Sequence, residues 1–226
     1  MTGRRELYLQ EMGLGPVWHA RGVPADAPGL GDAGAMDWAG LKAAAAGCTA
    51  CELHKTRTQA VFGVGDENAD WLFIGEAPGV DEDAQGEPFV GQAGKLLDNM
   101  LKSIGLKRGD NVYITNVVKS HPPDNRNPHQ GEIAACFPYL QRQIELIQPK
   151  LIVTLGKIAS EALLGNKATV ASLRGKVHAY QGIPLIVTYH PAYLLRTLQD
   201  KARAWEDLCL AKQTMQDLCS KEPATL

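Results

Sequence analysis

The sequence predicts an α/β three-layer sandwich in which a central, four-stranded, mainly parallel sheet is flanked by helices. Three observations carry this. Four short apolar runs, rich in β-branched residues, at 71–75, 112–118, 150–155 and 184–189 read as strands covered on both faces. Between them lie segments whose apolar residues recur at helical spacing. Two of the runs end in loops that carry chemistry. Trp71-Leu72-Phe73-Ile74 enters Gly75-Glu76-Ala77-Pro78-Gly79, and the run 184–189 enters His190-Pro191-Ala192-Tyr193-Leu194-Leu195-Arg196. An acid and an imidazole delivered at strand exits describe a site at the carboxyl edge of a sheet, where open α/β folds bind their ligands.

Taken in order, residues 1–37 read as an N-terminal extension and linker. Arg5–Met12 has the makings of a short helix, and residues 22–35 are rich in Gly, Pro, Ala and Asp, as mobile linkers are. Residues 38–219 form the main domain and 220–226 a C-terminal tail. After the strand at 71–75, Leu96, Leu97, Met100, Leu101 and Ile104 mark one face of a helix. After the strand at 112–118, Ile133, Phe137, Leu140, Ile144 and Ile147 mark a second. Lys157 to Leu164 is a third, closed by Gly165. A last amphipathic helix runs from about 196 to 219 through Leu198, Ala202, Trp205 and Cys209. Strands alternating with helices imply right-handed crossovers.

The bulk numbers set limits. A chain of 226 residues with 45% hydrophobic content can bury a core, which excludes wholesale disorder. A formal charge of -2 excludes a uniformly basic binder but leaves room for a local basic face. No apolar stretch is long enough to span a bilayer, so no membrane association is expected. The start Met-Thr-Gly-Arg-Arg-Glu lacks a signal core, so cytoplasmic residence is expected. In that compartment five cysteines read as thiols or metal ligands rather than disulfides. Cys48-Thr49-Ala50-Cys51 precedes the first strand, and Cys136 is expected to open the helix after the second. A CxxC pair aims two thiolates at one metal or cluster iron. The same spacing also serves redox pairs, and a cysteine at a helix start can simply be buried. Cys209 and Cys219 read as packing residues or idle thiols.

With these motifs assembled, residues from about 40 to 212 resemble the family-four uracil-DNA glycosylases, the iron–sulfur branch of their superfamily. The resemblance rests on the Cys48/Cys51 pair, GEAPG at 75–79 and Asp81-Glu82-Asp83. Pro88-Phe89-Val90-Gly91, Thr115-Asn116-Val117-Val118-Lys119 and HPAYLLR at 190–196 complete it, all colinear. It implies a monomeric DNA repair enzyme that flips uracil out of single- or double-stranded DNA and hydrolyses its N-glycosidic bond, leaving an abasic site.

The resemblance also assigns roles. Glu76, Glu82 and His190 are implied to be catalytic, and Gly75, Ala77, Phe89 and Asn116 to bind uracil. The Phe89 ring offers a stacking face, and the Asn116 amide matches uracil O4 and N3–H while mismatching cytosine. Core packing for Phe89 and loop capping for Asn116 are the other readings of those residues. His190 suits a donor to uracil O2 as negative charge grows on the leaving base. The carboxylates would stabilise the sugar cation and orient water, with the division among Glu76, Glu82 and Asp83 left open. Residues 81–83 also read as a solvated turn. Ala77 stands where some relatives keep an aspartate or asparagine, so one strong general base is not implied. Pro191, Leu194, Leu195, Arg196 and Lys119 are implied to contact DNA, the leucines as a wedge. Arg126, Arg174 and Lys176 would extend the basic face, and the turn-rich loop 122–128 would touch the DNA backbone.

One departure bears on the cofactor. The family carries four cluster cysteines, and the third position here is Ser120, followed by His121, with fifteen residues between Ser120 and Cys136. The expected cofactor is a 4Fe-4S cluster on Cys48, Cys51 and Cys136 with Ser120 oxygen or His121 nitrogen as fourth ligand. An open iron site and loss of the cluster are the other outcomes. Three rival functions can be weighed on the same residues. A relative that traps uracil covalently on a histidine would need a basic insertion after Lys119, which is missing. A non-catalytic binder of uracil-containing or single-stranded DNA, an enzyme decayed at Ser120, is opposed by the retention of Glu76, Phe89, Asn116 and His190. A phosphate cradle would need GxGxxG or a P-loop, and Glu76 would repel phosphate.

Overall fold

The computed structural model describes residues 33–221; the expected helix at 5–12, most of the linker and the tail beyond 221 lie outside the described residues. The sheet has six strands: β1 (Val64–Gly65), β2 (Trp71–Gly75), β3 (Val112–Asn116), β4 (Leu151–Leu155), β5 (Val177–Tyr180) and β6 (Ile183–Thr188). Their order is β1-β3-β2-β4-β6-β5. The four expected strands are its parallel centre. The two additional strands pair antiparallel at the edges. Neither edge strand has an apolar run to announce it. β1 is two residues long, and β5 alternates between exposed and covered positions because one face meets solvent.

The centre is buried throughout: all five residues of β2, of β3 and of β4 are shielded from solvent. That is why those runs carry no polar alternation. The helices are α1 (Trp38–Ala46), α2 (Val80–Gln85), α3 (Gln92–Ser103), α4 (Gln130–Ile147), α5 (Lys157–Leu164), α6 (Val170–Leu173), α7 (Pro191–Arg196) and α8 (Lys201–Lys221). In α3 and α4 the expected apolar faces are the ones that pack. Cys136, however, lies in the second turn of α4 rather than at its start, because the helix begins six residues earlier at Gln130.

The C-terminal segment differs from expectation. It is a short α7, a 3-10 turn at Leu198–Asp200 and then α8. Ala204, Leu208, Ala211 and Met215 form the buried stripe of α8, whereas Leu198 and Trp205 are exposed. The break at Thr197 changes the helical phase, so a stripe counted from Leu198 falls on the wrong face.

The parallel register sets up the site. Gly75, the last residue of β2, pairs with Asn116, the last of β3. Two strands away β6 ends at Thr188, two residues before His190. The GEAPG loop, Asn116 and His190 therefore leave one edge of the sheet together.

Candidate active site

A cleft of about 1140 Å³, counted out to its open mouth, lies over that edge; Glu76, Ala77, Phe89, Asn116, His190 and Arg196 are among its walls. Gly75, buried at the end of β2, packs behind two of these walls. A Cβ on Gly75 would come within 2.3 Å of Asn116 Oδ1 and 2.5 Å of Phe89 Cζ, so the amide and the ring meet over a bare backbone. The Phe89 and His190 rings face each other at 5.5 Å between centroids. Gly156, at the exit of β4, leaves room for the histidine: a Cβ there would lie 3.0 Å from His190 Cβ.

Each polar group carries a distinct state. Among the described residues, Asn116 Oδ1 is the buried side-chain oxygen or nitrogen that has no hydrogen-bond partner. Leaving such an acceptor unpaired costs about 1–3 kcal/mol, which leaves it open to a donor that enters the cleft. Burial, with Arg196 nearby, pulls the His190 imidazole down to about 4, so it is neutral at physiological pH. Its Nδ1 accepts the Ala192 backbone N–H at 3.1 Å. The ring proton therefore sits on Nε2, as a donor. Burial alone raises the Glu76 carboxyl to about 7.

Glu82 is placed differently from expectation. Its Oε1 accepts the N–H of Val90 at 2.9 Å and of Gly91 at 3.1 Å, and its Oε2 accepts that of Gly79 at 3.0 Å. The carboxylate laces the GEAPG loop to the loop after Phe89, which makes it a strut of the cleft rather than a free group facing the sugar. Asp83 is likewise structural: buried, it accepts the Thr58 N–H at 2.7 Å. Glu76 is thus the carboxylate of the three that faces the cleft without a backbone donor on it.

Three DNA-contact expectations are corrected. Lys119 is buried, with Nζ donating to Thr115 Oγ1, Asn116 O and Gln143 Oε1, so it cannot reach a phosphate. Leu194 is 1% exposed and belongs to the core, because in α7 it turns inward while Leu195 turns out at 42% exposure. Arg174 is held by Asp207 and Glu206. Leu195 is exposed beside Arg196, which lines the cleft, and Pro191 opens α7 as its buried first residue. Arg126, in the opposing loop, is paired in a fork with Glu132 at 2.9 and 2.7 Å.

A second cavity, of about 300 Å³ counted to its mouth, is lined by Cys48, Cys51, Cys136 and Ser120 together with Arg57, Lys119 and Tyr139. His121 is not part of it; its Nε2 pairs with Asn125 Oδ1 at 3.1 Å. The Ser120 hydroxyl accepts from Arg57 Nη1 at 2.8 Å, and Arg57 also binds the Ala46 and Cys48 carbonyls. The Lys119 N–H donates to Cys136 Sγ at 3.2 Å. Burial raises the Cys136 thiol to about 11 and pushes Cys51 up as well. Without a cation these sulfurs are protonated; a metal centre is what would ionise them. Among the described residues no three His, Cys, Asp or Glu side chains are close enough to hold a single ion. A cluster spreads its thiolates around a larger body, and three thiols with one hydroxyl around one cavity suit that.

Sequence reasoning missed Arg108, which grips the Phe89 loop. Nothing in its polar turn links it to a residue nineteen positions away. Among the described residues no helix is long and apolar enough to cross a membrane.

A model of the uracil DNA glycosylase superfamily matches residues 62–209. A type-4 uracil-DNA glycosylase of Archaeoglobus fulgidus is 45% identical over 187 residues, covering 79% of this chain and 92% of that protein. One of Sulfurisphaera tokodaii is 50% identical over 157 residues, covering 66% and 71%. One of Thermotoga maritima is 45% identical over 169 residues, covering 73% and 88%. The chain belongs to the uracil DNA glycosylase superfamily, on its type-4 branch.

Proposed function

We propose that this protein removes uracil from DNA by hydrolysing the bond between uracil N1 and the deoxyribose C1′, leaving an abasic site. The observation that supports it most is the unpartnered, buried Asn116 Oδ1 between an aromatic face and a neutral histidine. The flipped base stacks on Phe89, and Asn116 accepts from N3–H and donates to O4. Cytosine presents an acceptor and a donor at those positions, so it leaves the buried amide mispaired. As the N1–C1′ bond breaks, its electron pair leaves with uracil and positive charge grows on the sugar. His190 Nε2–H donates to O2 of the departing anion, a neutral donor in a dry site. The ionised Glu76 stabilises the sugar cation and aligns water, whose oxygen bonds to C1′ and whose proton passes to solvent. Leu195 fills the space left in the duplex, and Arg196 serves the DNA backbone.

The test is alkaline strand cleavage of a uracil-containing oligonucleotide across pH. Glu76 is ionised above about 7, so excision is expected to rise with pH through about 7 and then level off, with no limb from His190. Glu76→Gln is expected to lose both the limb and most of the rate. Because the folded carboxyl is raised above its unfolded value of 4.5, the native state is penalised as pH rises from 4.5 to about 7. Glu76→Gln should therefore melt higher than the parent above pH 7 and alike below 4.5. An intact protein that yields no abasic product overturns the enzyme reading.

We also infer that Cys48, Cys51, Cys136 and Ser120 hold a 4Fe-4S cluster, with Ser120 rather than His121 at the fourth corner. When bound, the cluster supplies a redox-capable staple joining the segment before β2 to α4. Iron and sulfide are expected in anaerobically purified protein, and Ser120→Cys should slow their loss in air. Absence of both elements from the parent and from Ser120→Cys would end this reading.

A further inference from the structure

Phe89 holds a backbone conformation that its side chain disfavours, with φ at +57°. A bulky aromatic there persists only when its surroundings enforce it. Three features do so. The Phe89 carbonyl lies against the first turn of α3 where only glycine leaves room: a Cβ on Gly94 would sit 1.7 Å from that oxygen. The ring lies over the bare backbone of Gly75. The third is Arg108. Its Nη1 donates to the Pro88 carbonyl and its Nη2 to the Phe89 carbonyl, both at 2.8 Å, while Nε donates to Asp98 Oδ1 at 2.9 Å. A planar guanidinium fork can hold two consecutive carbonyls in a way that a lysine cannot.

We propose that Arg108 is a positioning residue of the uracil pocket, clamping residues 88–89 so that the Phe89 ring is set as a platform before the base arrives. The inference rests on the reading of Phe89 as that platform. Arg108 is not among the residues lining the cleft and acts through the backbone it holds. Asp98 aims the guanidinium. A ring locked in place spares the site the cost of ordering it on binding and keeps the base aligned with His190. The Glu82 lacing on Val90 and Gly91 fixes the loop's other end, so the clamp and the strut bracket Phe89.

The test compares Arg108→Met, Arg108→Lys, Phe89→Ala and Arg142→Met in the full chain. Arg142 grips a backbone carbonyl elsewhere, with Nε donating to Met36 O at 2.8 Å, and so reports a purely structural loss. Single-turnover excision, KM, inhibition by free uracil and melting temperature are measured. Arg108→Met is expected to slow single-turnover excision and weaken uracil inhibition by about ten- to a hundredfold, with KM for DNA little changed. Arg108→Lys should recover part of both. Arg142→Met should lower the melting temperature with excision unchanged. If Arg108→Met moves only the melting temperature, as Arg142→Met does, the clamp is overturned while an inactive Phe89→Ala keeps the platform. A fully active Phe89→Ala overturns platform and clamp together.

Discussion

Replacing Asn116 with alanine is expected to cut uracil excision by about a thousandfold or more while leaving the melting temperature equal to the parent's or higher. The two halves of this expectation share one cause. The Asn116 side-chain oxygen is buried without a partner, so the folded protein without ligand gains nothing from it. The residue's structural tie is through its main chain, where its carbonyl accepts from the buried Lys119 Nζ at 2.7 Å, and alanine keeps that bond. The side chain belongs to the reaction and the backbone to the fold. Such a division produces a trade between stability and activity. Excision of uracil from a labelled oligonucleotide, read beside thermal melting, measures both. A variant that stays active, or that melts far below the parent, would return the amide to a loop-capping role.

Gly75→Ala should also be damaging, though less so, even as it adds a single methyl group. The added carbon would meet Asn116 Oδ1 and Phe89 Cζ well inside contact distance. Both are ends of side chains, so the chain folds by swinging one of them aside. The Arg108 clamp and the Gly94 contact hold the Phe89 backbone, which leaves the Asn116 amide and the ring tip to move. A displacement of about 1 Å in the base-holding groups corresponds to about a hundredfold in rate. Gly131→Ala is the matched control, since nothing lies within 4 Å of a Cβ there and it sits in the first turn of α4. The prediction is read from single-turnover excision and free-uracil inhibition. Equal activity in the two alanine variants would mean that the packing of Asn116 and Phe89 against Gly75 does not set the base-holding geometry.

Much of this protein is legible along the chain because its sheet is buried on both faces. The four central strands are uninterrupted apolar runs, and α3 and α4 show their packed stripes at regular spacing. The strand-exit loop betrays the site as well, because Gly75-Glu76 follows directly on an apolar run. Beyond that the sequence offers residue types rather than environments. Lys119, Leu194 and Glu82 have the chemistry expected of DNA contacts and a catalytic acid. Whether a lysine meets water or three oxygen acceptors depends on which segments pack over it. Thr115 and Asn116 lie within four residues of Lys119, but Gln143 is twenty-four away on α4. Leu194 and Leu195 are neighbours of the same type, and one helical step of about 100° sends one into the core and the other to solvent.

The sequence by itself determined the α/β architecture and the edge of the sheet where Glu76 and His190 gather; the resemblance to a known family added Phe89 and Asn116 to the pocket. Periodicity and strand-end position are local properties, and local spacing records them. Only the tertiary structure decided their states and their supports. It made His190 a neutral Nε2–H donor, left Asn116 Oδ1 unpaired, raised the Glu76 carboxyl, committed Glu82 to three backbone donors and brought Arg108 to Phe89. It likewise turned Ser120 toward the three thiols and His121 away from them. Burial, hydrogen bonding and charge depend on what the remainder of the chain places within a few ångströms, and sequence separation carries no record of that distance.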